Sequence, residues 1–139
     1  MKRPRLLLAD DHCETGALLL ALLQPEFDVV GHVQDGEALV TSADELSPDV
    51  IVTDISMPGL DGITAASAIL RKNPDARIVL VTVHSDLSLV TCGLSTGVLG
   101  YVLKLVAGED LVPAVRAALR GERHVSGALG YSNGAGRMP

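Results

Sequence analysis

The sequence predicts a doubly wound α/β domain, in which helices cover both faces of a parallel sheet. Short apolar runs alternate five times with segments whose apolar residues recur at helical spacing. The runs are continuously apolar, as is typical of parallel strands that helices cover on both sides. The chain has 139 residues, 47% hydrophobic and 20% charged, which suits one core in one domain.

Each predicted strand is rich in Leu, Ile and Val and ends at or near a polar residue. The strands are expected at residues 6–9, 29–33, 50–53, 78–81 and 99–103. The helices between them should begin at polar residues and end at Pro or Gly. The residues expected to bound the helices are Pro25, Leu46, Asn73, Ser85, Asp86, Gly97 and Gly121.

Composition and charge argue against several classes of protein. The formal net charge is -6, so we expect no direct nucleic-acid binding by this domain. Two cysteines do not indicate a secreted disulfide framework, and we expect Cys92 to lie in the core. The apolar stretch after the basic start is too short for an export signal, and no window is long enough for a bilayer span. We therefore expect a cytoplasmic protein that does not contact membranes.

The carboxyl-terminal residues differ in composition from the rest of the chain. From residue 126 onward, Gly stands among Ser, Asn, Arg and Pro, a composition that buries little apolar surface. We predict a folded domain over 1–124 and a disordered tail or linker over 125–139.

Polar residues follow four of the predicted strands. Asp10 and Asp11 follow the first, Asp54 the third, Thr82 the fourth and Lys104 the fifth. Ligands of open parallel sheets bind at the carboxyl ends of the strands, so these side chains should share one edge. Three close carboxylates repel one another unless a cation neutralises them, and Mg²⁺ prefers oxygen ligands. One Asp after a strand is more often a turn or cap residue, but the whole set favours a functional site.

These residues resemble the receiver domain of two-component response regulators. The resemblance spans about residues 5–123, and the stretch 110–122 is similar to the NarL/FixJ subfamily. It implies a flavodoxin-like (β/α)5 fold with strand order 2-1-3-4-5. The matching motifs are Asp10-Asp11, Asp54-Ile55-Ser56-Met57-Pro58-Gly59-Leu60-Asp61-Gly62, Thr82 and Tyr101-Val102-Leu103-Lys104.

The resemblance implies a phosphoacceptor signalling domain, not an enzyme, with slow self-dephosphorylation at most. Asp54 accepts a phosphoryl group from a phosphohistidine of a sensor histidine kinase or phosphotransfer protein. The ligands of Mg²⁺ are Asp10, Asp11, Asp54 and the backbone carbonyl of Ser56. The resemblance also leads us to expect that the domain forms a homodimer. Members of this subfamily usually carry a DNA-binding domain, so the whole protein is expected to be a transcription regulator.

The resemblance also implies a switch. Thr82 and Lys104 bind the phosphoryl group, and Tyr101 rotates from an exposed to a buried position, which changes the surface of helix four, strand five and helix five. Val83 and His84 occupy positions that tune the lifetime of the phosphoryl group.

The sequence departs from the family pattern at Val83, where a small residue is common, at Leu105 and at Pro113. Leu105 follows Lys104 where many receivers have Pro, so no cis-proline is expected there. Pro113 falls inside the expected fifth helix, which should kink or begin late. His12, beside the acids, is read mainly as a loop or capping residue.

Two other functions remain open. A haloacid-dehalogenase-like phosphatase also uses an Asp nucleophile and Mg²⁺, but it requires an Asp-x-Asp spacing that Asp10-Asp11 lacks. A pseudo-receiver would act only as a binding module, and it would be expected to lack the phosphoacceptor or the acidic pair.

Overall fold

Six parallel strands form one sheet with five helices around it in the computed structural model of the protein. The structure describes residues 3–83 and 87–126. The elements are β1 (Arg5–Ala9), α1 (Cys13–Leu23), β2 (Asp28–Val33), α2 (Gly36–Leu46), β3 (Val50–Asp54), α3 (Gly62–Lys72), β4 (Ile78–Thr82), α4 (Leu87–Ser95), β5 (Gly100–Leu103), a 3-10 turn (Lys104–Val106), α5 (Ala107–Leu119) and β6 (His124–Val125).

The strands lie in the order β2-β1-β3-β4-β5-β6. The predicted α/β class and the order of the first five strands are confirmed. Five strands were predicted and the sheet has six, because β6 pairs in parallel with β5 as an additional outer strand. This short strand follows α5 directly.

Alternate residues of the strands supply two cores, one on each face of the sheet. Leu7 and Ala9 of β1 pack in the cluster under α2, α3 and α4, whereas Leu6 and Leu8 pack in the cluster under α1 and α5. Successive side chains of a strand point to opposite faces, so a continuously apolar strand fills both cores. The strands are thereby fixed in place, and their carboxyl ends lie side by side.

Most of the expected helix boundaries are confirmed. Helix α1 ends at Leu23 just before Pro25, α2 ends at Leu46, and Asn73 is the carboxyl-terminal cap of α3. Gly97, with a φ of +104°, follows α4. The expected start of that helix at Ser85 and Asp86 lies outside the described residues.

Gly121 ends α5 as predicted. Its φ is +75°, its amide donates to the Ala118 carbonyl at 2.9 Å, and the Glu122 amide donates to the Ala117 carbonyl at 2.8 Å. This pair of bonds is the Schellman motif, which favours glycine because the residue adopts a left-handed conformation. The last turn of α5 is therefore closed, and the chain turns back toward β5.

Two predictions about helices need correction. Helix α5 begins at Ala107 and continues through Pro113, so the expected late start is wrong, while a kink stays a prediction. Pro113 and Glu109 both lie on the exposed side of α5, where water can bind the carbonyl that loses its amide donor. Cys92 is exposed on α4 and is not part of the core.

The structure bears on the predicted tail only at its beginning. Val125 belongs to β6, and Ser126 is fully buried, although both were assigned to the tail. Residues 127–139, and with them the rest of that prediction, lie outside the described part of the chain. Across 3–83 and 87–126, no helix is long and apolar enough to cross a membrane.

Candidate functional site

The carboxyl edge of the sheet gathers the polar residues that the sequence singled out. Asp10 follows β1, Asp54 is the last residue of β3, Thr82 is the last residue of β4, and Lys104 follows β5. Asp10, Asp54 and Thr82 are each at most 2% exposed. Asp10, Asp54 and Lys104 form the polar centre of this edge.

Lys104 joins the two buried acids. Its Nζ lies 3.0 Å from Asp54 Oδ2 and 3.1 Å from Asp10 Oδ2, and only 10% of its side chain is exposed. A single ammonium group thus balances charge on two carboxylates from different strands. Burying such charges is costly without partners, so the pairing explains how both acids stay in place.

Backbone groups orient the two acids further. Asp10 Oδ1 accepts a hydrogen bond from the His12 amide at 2.8 Å, and the Ser56 amide approaches Asp54 Oδ1 at 3.4 Å. Behind Asp54, the amide of Gly62 donates to the Ile55 carbonyl at 2.7 Å and brings the start of α3 against β3. A Cβ at residue 62 would overlap the Asp54 backbone carbonyl, so this close approach requires glycine.

His12 belongs to the site, although the sequence favoured a loop or capping role for it. Residue 12 does precede the first turn of α1, but its side chain makes no capping hydrogen bond. Its Nδ1 lies 3.0 Å from Asp11 Oδ1 and 3.4 Å from both Asp10 Oδ1 and Asp54 Oδ2. In the sequence, the position of His12 next to Asp10-Asp11 could have indicated that it belongs to the site. Nothing in the sequence indicated Thr15, which lines a small cavity together with His12 and Asp54.

The acids can serve as ligands for a cation. Ligand atoms of Asp10, Asp11, His12 and Asp54 all lie within 4.8 Å of one another. Asp10 Oδ2 is buried and faces the Lys104 ammonium at 3.1 Å, and a carboxylate oxygen in such an ion pair keeps a lone pair that can bind a metal. Three carboxylates are the hard oxygen donors that Mg²⁺ prefers, and the residues present therefore fit that ion.

The other predicted site residues differ in how far they are exposed. Tyr101 is fully buried, and its ring lies near Gly93 of α4, so the structure shows the buried position and no rotation. Val83 is 71% exposed. Ser56 is exposed, and its carbonyl stays a predicted metal ligand. His84 lies outside the described residues.

Among the described residues, a cavity and a groove lie at this site. A cavity of about 120 Å³ is lined by His12, Thr15, Asp54, Ser56, Val83 and Lys104. A larger groove of about 650 Å³ runs between the loop after β3 and α4, past Asp11 and the exposed Cys92. The centre is therefore accessible to a small ligand through the cavity, and the groove offers room beside it.

Comparisons with known proteins agree with this arrangement. The chain is 41% identical over 120 residues to the transcriptional regulatory protein LiaR of Bacillus subtilis, covering 85% of this chain and 57% of that protein. It also resembles the receiver domain of the response regulator NarL from Mycobacterium tuberculosis, with a TM-score of 0.82 and 29% identity over 88% of this chain and all of that one.

A second similar structure is the isolated receiver domain of RcsB from Salmonella enterica serovar Typhimurium, solved in the presence of the phosphomimetic BeF3⁻. Its TM-score is 0.85 at 29% identity, over 93% of this chain and 97% of that chain. The chain spans about half the length of the curated relatives that it matches.

The family model for the response regulator receiver domain matches residues 6–116, which include all four strand ends of the site. Receiver domains of this family interact with sensor kinases, bind Mg²⁺ at an acidic pocket and act in signalling. With its acids, its lysine and its strand order at the positions that this match covers, the chain belongs to the receiver domain family of two-component response regulators.

Proposed function

We propose that this domain accepts a phosphoryl group on the carboxylate of Asp54. The supporting observation is that Asp54 shares the Lys104 ammonium with Asp10, because the Lys104 Nζ lies 3.0 Å from Asp54 Oδ2 and 3.1 Å from Asp10 Oδ2. A carboxylate oxygen attacks phosphorus, the bond from phosphorus to the donor's histidine nitrogen breaks, and an acyl phosphate forms. The proposed donor is a phosphohistidine of a sensor histidine kinase or phosphotransfer protein.

The chain supplies positioning and charge for this transfer. Asp10, Asp11, Asp54 and the carbonyl of Ser56 are the residues that would hold Mg²⁺. When bound, this ion neutralises charge on phosphoryl oxygens. Lys104 supplies a second positive charge, and it is already held at the acceptor before any transfer.

Thr82 and Tyr101 are proposed to transmit the modification. Thr82 is buried at the end of β4, one strand away from Asp54, and its hydroxyl is suited to bind a phosphoryl oxygen. Tyr101 pairs across the β4–β5 ladder with Leu80, and it packs toward α4. A shift of Thr82 toward the phosphoryl group would change the space beside Tyr101 and thereby the surface of α4, β5 and α5.

The proposed setting is a longer regulator. The matched relatives include transcriptional regulators of which this chain covers only 52% and 57%. We propose that the domain controls a DNA-binding output and forms a homodimer, while Val83 and His84 tune the phosphoryl lifetime. The net charge of -6 supports binding of DNA by another domain.

The first prediction tests the acceptor itself. The protein is incubated with phosphoramidate and Mg²⁺, and its intact mass is measured over time. We expect one phosphoryl adduct in the wild type and none in Asp54→Asn, because the amide lacks the nucleophilic oxygen. Asp44→Asn, which removes one carboxylate from the exposed side of α2, should label at the wild-type rate.

Other outcomes favour the other functions. Adduct formation in Asp54→Asn at the wild-type rate would remove Asp54 from the mechanism. Release of phosphate without accumulation of an adduct would support a phosphatase. A wild type that never acquires a phosphoryl group, from phosphoramidate or from a phosphorylated kinase, would support a pseudo-receiver.

A further inference from the structure

Hydrogen bonds tie the segment that follows α5 to β5 and to Leu99, the residue before it. The His124 amide donates to the Leu99 carbonyl at 2.8 Å, and the Ser126 amide donates to the Tyr101 carbonyl at 3.0 Å. The third bond uses a side chain, because the Leu103 amide donates to Ser126 Oγ at 3.2 Å. A hydroxyl thus continues the ladder at the carboxyl end of β5.

This third bond lies in the interior of the protein. Ser126 is 0% exposed and Leu103 is 7% exposed. A buried backbone amide requires an acceptor, and Ser126 provides it from a position 23 residues further along the chain. On its other side, Leu103 pairs with Thr82 of β4. The end of β5 is therefore held from both neighbouring strands.

Leu103 immediately precedes Lys104, the residue that joins the two buried acids. The chain turns at Lys104 into the 3-10 turn, which contains no cis peptide bond. The side chain of Leu105 is 91% exposed and gives this turn no anchor in the core. The hydrogen bond of the Leu103 amide is thus a buried contact one residue before Lys104.

We propose that Ser126 is a positioning residue for phosphoryl acceptance. Its hydroxyl holds the Leu103 amide, and through that backbone it keeps the Lys104 ammonium 3.0 Å from Asp54 Oδ2. A small displacement at the acceptor lowers the rate of a reaction that depends on alignment. The inference rests on the proposed function, since it assigns a role in that reaction.

The test compares three variants of the whole chain by their rate of labelling with phosphoramidate and Mg²⁺. Ser126→Ala removes the acceptor and should label about three- to tenfold more slowly, the range expected for one lost buried hydrogen bond. Ser126→Thr keeps a hydroxyl and should restore a rate within about twofold of the wild type. Val125→Ala is the matched control, because it weakens the packing of the same strand and keeps the hydroxyl.

Two NMR measurements separate positioning from general stability. The Leu103 amide should exchange with solvent faster in Ser126→Ala than in Val125→Ala. The ¹⁵Nζ resonance of the Lys104 ammonium should be observable in the wild type and in Ser126→Thr, and it should weaken in Ser126→Ala as the ammonium leaves its two carboxylates. Slower labelling together with these two changes supports the proposal.

Several results would overturn it. Wild-type labelling by Ser126→Ala would show that the hydroxyl has no role in the reaction, and equal slowing by Val125→Ala would assign the effect to β6 as a whole. If the wild type itself takes no phosphoryl group, the proposed function fails separately. The Lys104 resonance then decides the positioning alone, and an unchanged resonance in Ser126→Ala refutes it.

Discussion

The two edges of the parallel sheet use charged side chains in opposite ways. At the amino edge, guanidinium groups donate to backbone carbonyls at the ends of helices. Arg5 reaches the Leu46 carbonyl at 2.6 Å and the Ser47 carbonyl at 3.2 Å, and Arg77 reaches the Leu119 carbonyl at 2.7 Å. These cations satisfy the last carbonyls of α2 and α5 and complement their helix dipoles.

At the carboxyl edge, charged side chains instead meet one another in the interior. Lys104 lies between Asp10 and Asp54, both almost fully buried. A buried ion pair is often no more stable than apolar side chains of the same volume, so stability alone does not explain this arrangement. Charge therefore stabilises the fold at the amino edge, whereas at the carboxyl edge we propose that it is held ready for a ligand.

The largest effect is expected from crowding the backbone of the carboxyl edge. Gly62→Ala would place a Cβ against the Asp54 carbonyl, so β3 or α3 must shift. We expect a loss of about 3 kcal/mol in the free energy of unfolding, measured by urea titration, because backbone cannot yield as a side chain does. Phosphoryl labelling of the folded fraction should also slow.

Gly108 offers the matched control for Gly62. It lies in the first turn of α5, and nothing lies within 4 Å of a Cβ built there. Gly108→Ala should therefore raise the stability by up to about 1 kcal/mol through helix propensity. If both variants unfold at the same urea concentration as the wild type, the close approach of α3 to Asp54 is not a constraint on the site.

The next largest effect is expected when one cation is removed from each edge of the sheet in turn. Lys104→Met leaves two buried carboxylates without their ammonium partner, and we expect it to cost about 3 kcal/mol when no divalent cation is present. Arg77→Met leaves an exposed carbonyl that water can bind, and it should cost less than about 1 kcal/mol. Urea unfolding with EDTA measures both losses.

The effect of Mg²⁺ on the stability of the same two variants tests the comparison further. Adding it should stabilise Lys104→Met more than the wild type, because the ion replaces the missing positive charge and binds only the folded site. It should leave the deficit of Arg77→Met unchanged. Equal losses in the two variants, or equal gains from Mg²⁺, would contradict the distinction between the two edges.

The sequence was most informative where physical constraints are strong. Charged side chains are rarely buried within a strand, so Asp54 and Lys104 mark the points where strands end. Parallel strands then bring those ends to one edge, and the polar centre follows from the element order alone. The α/β class and the site at the carboxyl edge were predicted for this reason.

The missed features depend on the three-dimensional structure. A strand of two residues, such as β6, shows no periodicity, and Ser126 has the composition of a linker until β5 is found beside it. The direction of the His12 side chain depends on the loop after β1. The effect of Pro113 depends on which face of α5 is exposed, and that of Cys92 on which face of α4 is exposed.

The smallest effect is expected from an exposed ion pair near the amino edge. Glu26 precedes β2, and the Arg116 guanidinium donates to both of its carboxylate oxygens, to Oε2 at 2.6 Å. These hydrogen bonds, together with the positive charge of Arg116, lower the pKa of Glu26 from its ordinary value of 4.5.

The ion pair of Glu26 and Arg116 therefore adds stability above pH 4.5 that is lost as the pH falls through the lowered pKa of Glu26. Glu26→Gln should lower the urea midpoint slightly at pH 7, and its difference from the wild type should be smaller at a pH well below 4.5. Glu45→Gln, on the exposed side of α2, should show no such pH dependence. A deficit of Glu26→Gln that is the same at both pH values would mean that the side chain contributes by packing and not by charge.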